Sequence, residues 1–228
     1  MSDLRVLPVE GVPEVRAGDD LASLLVDAFG ENAFEEGDVV VIAQKVVSKA
    51  EGRTAPAAER ESAIADETKR VLRRSGNMVI SETRHGFVCA NAGIDASNVP
   101  DGEVLLLPLD PDLSARRIRS GISRKSGADV AVIVSDTFGR AWRLGQTNVA
   151  IGVAGMDPFV DYRGTTDAYG RELSATRICA ADEIAGAAEL VMGKTTRVCA
   201  AVVRGAAIAR PPGSAVQIVR PVDEDLFR

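Results

Sequence analysis

The chain has 228 residues, 46 % hydrophobic and 26 % charged, with a net charge of −6; at that length a sizeable core removes roughly 70 % of the unfolded surface. These values exclude disordered, collagen-like and coiled-coil proteins. An acidic chain with 4 % aromatic residues and no basic run is a poor nucleic-acid binder. No apolar stretch approaches the ~20 residues of a membrane helix, and the opening MSDLRVLPVEG lacks the basic and apolar blocks of a secretion signal. A cytoplasmic protein with no membrane or nucleic-acid partner is expected.

In chain order, Leu4 to Val9 reads as a strand. Asp19 to Phe29 reads as an amphipathic helix, capped by Asp19 or Asp20 and stopped at Gly30. Val39 to Ile42 is a continuous β-branched run and predicts a buried strand. Ala57 to Arg74 predicts a helix with Ile64, Thr68, Val71 and Leu72 on one face. Asn77 to Glu82 and Gly86 to Ala90 predict two strands around a turn at Arg84-His85, and Val104 to Leu107 a third, closed by Pro108. Asp110-Pro111-Asp112 opens a helix to about Lys125, with Asp110 as N-cap. Ala128 to Val134 is the strongest strand signal; Ala181 to Met192 reads as a helix and Arg197 to Val203 as a final strand. The elements follow no strict βαβ rhythm, so the expected fold class is α+β, or an irregular mixed α/β arrangement. No linker divides the chain, and residues 1–228 read as one domain that can hold two intertwined subdomains.

The rare residues narrow the chemistry. One histidine, His85, excludes His-cluster zinc and facial-triad iron sites. Three cysteines, Cys89, Cys179 and Cys199, with no CxxC pair, argue for reduced buried thiols. A metal here should be hard and oxygen-bound. On a strand, His85 and Cys89 would stand about 13 Å apart, too far for a nucleophile and its base. AELVMGKT (Ala188 to Thr195) resembles a phosphate-binding P-loop, but a helix ends at Gly193 and a strand follows. A P-loop needs the opposite order. Gly152-Val153-Ala154-Gly155 is too short for a dinucleotide fingerprint.

Four segments remain. Asp136-Thr137-Phe138-Gly139-Arg140-Ala141-Trp142-Arg143 follows the strand ending at Val134, where a rigid sheet can fix a metal-binding carboxylate. The same residues also read as an Asx-turn with solvated arginines. Ala92 to Asn98 carries Asp95 as a second carboxylate, or is a plain turn. Gln44-Lys45-Val46-Val47-Ser48-Lys49 offers lysines and a serine to phosphate, or is a solvated lysine face. Gly11-Val12-Pro13-Glu14 is a turn. Two carboxylates, lysines and no histidine ligand set fit a metal–nucleotide site for phosphoryl transfer.

GDVVVIAQKVVSKAEGR, AGIDASNV, SDTFGRAWRLGQTNVAIGVAGM, DYRGTTDAYGRELSAT and ADEIAGAAELVMGK together closely resemble the coenzyme F420-0:gamma-glutamyl ligase family, from about Leu7 to Gly205. The resemblance implies a mixed α/β fold in an intertwined, butterfly-like homodimer. It also implies joining of L-glutamate to the deazaflavin precursor coenzyme F420-0, with GTP as co-substrate, magnesium or manganese at up to two sites, and a potassium ion. Carried over by motif, Asp95 and Asp136 are ligands of the first metal and Thr137 of the second, and Asp95, Asp136 and Lys49 are the catalytic set. Val12, Pro13, Glu14, Val15, Gln44, Lys49 and Asn98 contact GTP; Gln44 departs from the serine often found there. Lys194 stands where many archaeal members have glutamine, and a charged lysine has no lone pair for a cation. Some members carry a nitroreductase-like extension for which this sequence has no room. The alternatives are a ligase of this fold with another carboxylate acceptor, and a nucleotide-binding regulatory module without turnover.

Overall fold

The computed structural model describes residues 3–97 and 99–226. Twelve strands and five α-helices follow in order: β1 (Arg5–Pro8), α1 (Leu21–Phe29), β2 (Val39–Ala43), α2 (Gln44–Ala50), β3 (Thr54–Pro56), α3 (Arg60–Glu67), β4 (Thr68–Ser75), β5 (Met78–Thr83), β6 (Val88–Ala90), β7 (Glu103–Leu105), α4 (Pro111–Ser126), β8 (Ala131–Arg140), β9 (Arg143–Ala154), β10 (Val160–Asp161), β11 (Arg177–Ile178), α5 (Ala180–Met192) and β12 (Ala200–Arg204). The mixed α/β architecture is as expected.

The central sheet has the order β1-β12-β2-β8-β9. Only β2 and β8 run parallel, with Val39 opposite Ala131 and Ala43 opposite Ser135; the other neighbours are antiparallel. Both faces are covered, which is why β2 and β8 are continuous apolar runs rather than alternating ones. Val40, Ile42, Val132 and Val134 join Leu21, Leu25, Ile118 and Ile122 of α1 and α4 in one core. Val39, Val41, Ala131 and Ile133 join Ala181, Ile184, Ala185 and Ala188 of α5 in the other. A three-stranded sheet, β4-β5-β6, and two short pairs, β3-β7 and β10-β11, complete the set.

The capping signals act as the sequence suggests. Asp20 accepts from the amides of Ala22 and Ser23, Asp110 accepts from Leu113 at 2.8 Å, and Gly127 closes α4 at φ +76. The expected Ala57–Arg74 helix is corrected: it is helical only to Glu67, and Thr68 onward is strand β4. Pairing with β5 gives the buried Glu82 carboxylate two cations, Lys69 at 2.9 Å and Arg70 at 3.4 Å, and a tertiary pairing of this kind overrides weak helix propensity. The Gln44–Lys49 segment, read only as lysines after a strand, is helix α2. Strand β8 does not end at Val134 but continues to Arg140, paired with β9.

One glycine is held by close approach rather than by backbone conformation. A Cβ on Gly152 would lie 2.3 Å from the Pro111 carbonyl oxygen at the start of α4. Beside it, the Asp112 carboxylate accepts from Val153 N at 2.8 Å. Gly152→Ala is expected to destabilise the fold by about 2–3 kcal/mol, read as a lower urea midpoint at unchanged slope. A midpoint equal to wild type would show that α4 can retreat freely from β9.

Candidate functional site

The parallel pairing of β2 with β8 sets the carboxyl end of β2, Ala43, beside Ser135 in the middle of β8, and the carboxyl ends of parallel strands are where ligands bind in open α/β sheets. The chain leaves β2 directly into α2, which puts Lys45 close enough to Asp136 of β8 to act on its charge. Asp95 arrives from a separate segment, fixed by a two-way backbone bridge with Leu105 (Asp95 N to Leu105 O 3.0 Å, Leu105 N to Asp95 O 2.8 Å).

Asp95 accepts from the Ser97 amide at 2.7 Å and the Ser97 hydroxyl at 3.2 Å, and forms an ion pair with Lys45 Nζ at 2.7 Å. Lys45 also donates to the Ser97 hydroxyl. Burial raises the Asp95 pKa, but the Lys45 and Ser97 hydrogen bonds outweigh it and hold the carboxyl below its ordinary range. Asp136 is pushed up to about 7. Burial is the main cause and the nearby Asp95 charge adds to it, while the Thr137 amide, Lys45 and Lys194 oppose it. The two carboxylates therefore share one field, with Lys45 as their counter-charge.

Thr137 is the next residue of β8, so its side chain points to the opposite face of the sheet. There its hydroxyl donates to Asn148 Oδ1 at 2.7 Å and accepts from Lys194 Nζ at 2.7 Å. Lys194 pairs with Glu189 at 2.9 Å, and Glu189 accepts from Asn148 Nδ2 at 3.0 Å. The lysine after the C-terminal end of α5 is therefore fixed against the very residue expected to meet a second metal.

Lys49 pairs with Glu14 at 2.5 Å, which ties the 11–15 turn to α2. In that turn Val15 is buried, Val12 half-buried, and Pro13 and Glu14 exposed. Gln44 is 1 % exposed; its Oε1 accepts from Ser48 at 2.9 Å, and its Nε2 has no partner. Asn98 lies outside the described residues. The structure thus brings the charges of Asp95 and Asp136 together, pairs Lys49 of α2 with Glu14 of the 11–15 turn, and sets Thr137 on the far side of β8. Asn148 and Glu189 are not singled out by the sequence, and Lys45 is read there only as a lysine offered to phosphate, not as the counter-charge of Asp95. The usable signal for Asn148 was one amide inside an apolar strand; Glu189 was hidden in the P-loop look-alike.

Among the described residues no cluster of three or more His, Cys, Asp or Glu side chains gathers. Two carboxylates in one field still suit magnesium or manganese, which keep waters and take phosphate oxygens alongside one or two carboxylates. The donor set fits such an ion, and among the described residues it lacks the cluster of Cys and His ligands that zinc favours. A thiol nucleophile is disfavoured: burial, helped by the Asp136 charge, pushes Cys89 up to about 12. His85 Nε2 lies 3.0 Å from the Pro108 carbonyl and 3.2 Å from that of Leu109. Burial likewise pushes Cys179 up to about 12 and Cys199 to about 11, consistent with inert reduced thiols.

Residues 11–205 match the family model described as F420-0:Gamma-glutamyl ligase. The coenzyme F420:L-glutamate ligase of Methanothermobacter thermautotrophicus is 43 % identical over 99 % of each chain. That of Archaeoglobus fulgidus is 41 % identical over 99 % of this chain and 96 % of its own. The Methanocaldococcus jannaschii protein of the same name is 35 % identical over 95 % of this chain and 94 % of its own. The chain belongs to the F420-0:gamma-glutamyl ligase family, and amide-forming ligase chemistry is what its site must serve. Among the described residues no helix is long and apolar enough to cross a membrane.

Proposed function

We propose that the protein is a GTP-dependent ligase that joins L-glutamate to coenzyme F420-0, and adds further γ-linked glutamates, as part of coenzyme F420 biosynthesis. The observation that carries this reading is the meeting of Asp95, Asp136 and Lys45 where the end of β2 lies beside the middle of β8, with Lys49 on the same helix as Lys45. A carboxylate is a poor electrophile and must first be activated. An oxygen of the acceptor carboxylate attacks the γ-phosphorus of GTP; the bond from that phosphorus to the β-phosphate oxygen breaks, and GDP leaves with the electron pair. The glutamate amine then attacks the acyl carbon, the acyl–oxygen bond breaks, phosphate leaves, and the amine loses a proton to solvent.

Lys49 and Lys45 neutralise triphosphate oxygens through charge-assisted hydrogen bonds. Asp95 and Asp136 would hold magnesium or manganese, which supplies charge neutralisation at the transferring phosphate. The 12–15 turn, Gln44 and Asn98 complete the nucleotide contacts. Lys194, anchored by Thr137 and Glu189, adds fixed positive charge where other members use a second ion. Lys194→Gln is accordingly expected to steepen the dependence of rate on divalent-metal concentration and to weaken GTP at low metal. Superimposable metal titrations for the two proteins would remove Lys194 from the site.

The active species is proposed to be a homodimer, which light scattering at micromolar concentration checks; a monomer mass would overturn it. The deciding experiment incubates the protein with F420-0, GTP, manganese and glutamate, in potassium and in sodium, and follows products by mass spectrometry. Glutamylated product with GDP formed only when both co-substrates are present is the expected result. GDP formation without the deazaflavin would point to another acceptor, and nucleotide binding without turnover to a regulatory module.

A further inference from the structure

A cavity of about 650 Å3 opens between the β4-β5-β6 sheet, the β8-β9 hairpin and residues 218–225. That volume is within the range of small-molecule sites. Its wall is mainly apolar and includes three aromatic rings, Phe87, Phe138 and Trp142, in a chain with only 4 % aromatic residues. Phe87 and Phe138 pack edge to face at 6.3 Å. Trp142 sits at the hairpin tip at φ +59, a conformation costly for a bulky residue and more often kept at functional positions than elsewhere. The residue is 80 % exposed.

The charged members of the wall are Arg73, Arg220, Asp182 and Asp225, two of each sign. The cavity is therefore matched to a flat, uncharged ring system rather than to a triphosphate. It also adjoins the chemistry. Phe138 is two residues beyond Asp136 on the same face of β8, about 7 Å along the strand. Val88, on the opposite wall, precedes Cys89, whose thiol feels the Asp136 charge.

We infer that this cavity holds the planar deazaflavin ring of the acceptor, stacked between Trp142 and the Phe87–Phe138 pair, so that the acceptor's carboxylate arm extends along β8 to Asp95 and Asp136. This rests on the ligase reading for the identity of the ring, but its test does not require turnover. The probe is 7,8-didemethyl-8-hydroxy-5-deazariboflavin, which has the acceptor's ring without its phosphate or carboxylate, titrated by its fluorescence against the full chain in the absence of GTP. Wild type is expected to bind it. Trp142→Ala, which removes a stacking face, and Val88→Trp, which fills the cavity from its rim, are each expected to weaken binding about tenfold. GTP affinity by calorimetry should stay unchanged in both. Ring binding that is absent, or equal in all three proteins, overturns the inference, as does a fall in oligomer mass by light scattering in step with the loss of ring affinity, since the cavity would then be a surface between two copies of the chain. Ring binding that follows the variants in a protein without ligase turnover would retain the cavity assignment and overturn the ligase reading instead.

Discussion

Asp136→Asn is expected to abolish turnover and, at the same time, to make the metal-free protein more stable at pH 8. The carboxyl is pushed up to about 7 by burial and by Asp95, against an ordinary value of 3.8. Between those two values the folded protein holds a proton that the unfolded chain has released. Stability therefore falls as pH rises through that window, and above pH 7 the ionised group costs up to about 4 kcal/mol. Asn removes the charge while its side-chain oxygen can still accept from the Thr137 amide, which reaches Asp136 at 2.8 Å. Melting in chelator should show the variant several degrees more stable at pH 8, with the difference closing towards pH 4. GDP release should drop about a thousandfold or more, because a carboxylate that serves phosphoryl transfer has no neutral substitute. A variant that melts lower than wild type at pH 8, or that turns over at ordinary metal concentration, would show that the charge of Asp136 is neither strained nor used.

Lys49→Ala is expected to weaken GTP about tenfold to a hundredfold, the equivalent of roughly 1.5–3 kcal/mol for a charge-assisted hydrogen bond. In the structure this ammonium pairs with Glu14, so a purely structural role, tethering the 11–15 turn, is the competing account. Glu14→Gln separates the two. If Lys49 serves phosphate, freeing it from the carboxylate leaves GTP affinity equal or higher. If it only tethers the turn, Glu14→Gln weakens GTP as much as Lys49→Ala does. Calorimetry on both variants decides.

The parts of the fold legible in the sequence are those governed by neighbours in the chain. Helix α4 could be read because Asp110, Pro111 and Gly127 mark its ends locally, and β2 because its apolar run needs no partner to be recognised. The segment 57–74 misled because its fate is decided at Glu82, a buried carboxylate that draws Lys69 and Arg70 into a strand. The outer half of the β8-β9 hairpin was invisible for a different reason. Residues 139–146 are exposed on both faces, so no hydrophobic alternation marks them, and the backbone ladder holds them. The site divides in the same way. Asp95 and Asp136 stood out as carboxylates in small polar segments, and the family resemblance supplied their roles. Lys45 acquires its meaning through a contact 52 residues distant in sequence, and Asn148 and Glu189 through one 41 residues distant.

The single parallel pair in the central sheet has a consequence for how this chain tolerates change. Because β2 and β8 lie side by side, the atoms around Asp136 and Lys45 are set by one short stretch of backbone pairing, and the long excursion between the two strands returns to its starting edge. Loops along that excursion can grow or shrink without moving the reacting groups, since lengthening a surface connection adds little closure entropy. Alignment with the Methanopyrus kandleri relative spans 258 positions against the 228 residues here, so the relative carries inserted residues. Such length differences belong in the connections, whereas an insertion within 131–136 would slip the register and turn Asp136 to the wrong side of the sheet, and one within 39–43 would shift the start of α2 and its lysines. The outline can thus vary while the chemistry stays pinned to one pair of adjacent strands.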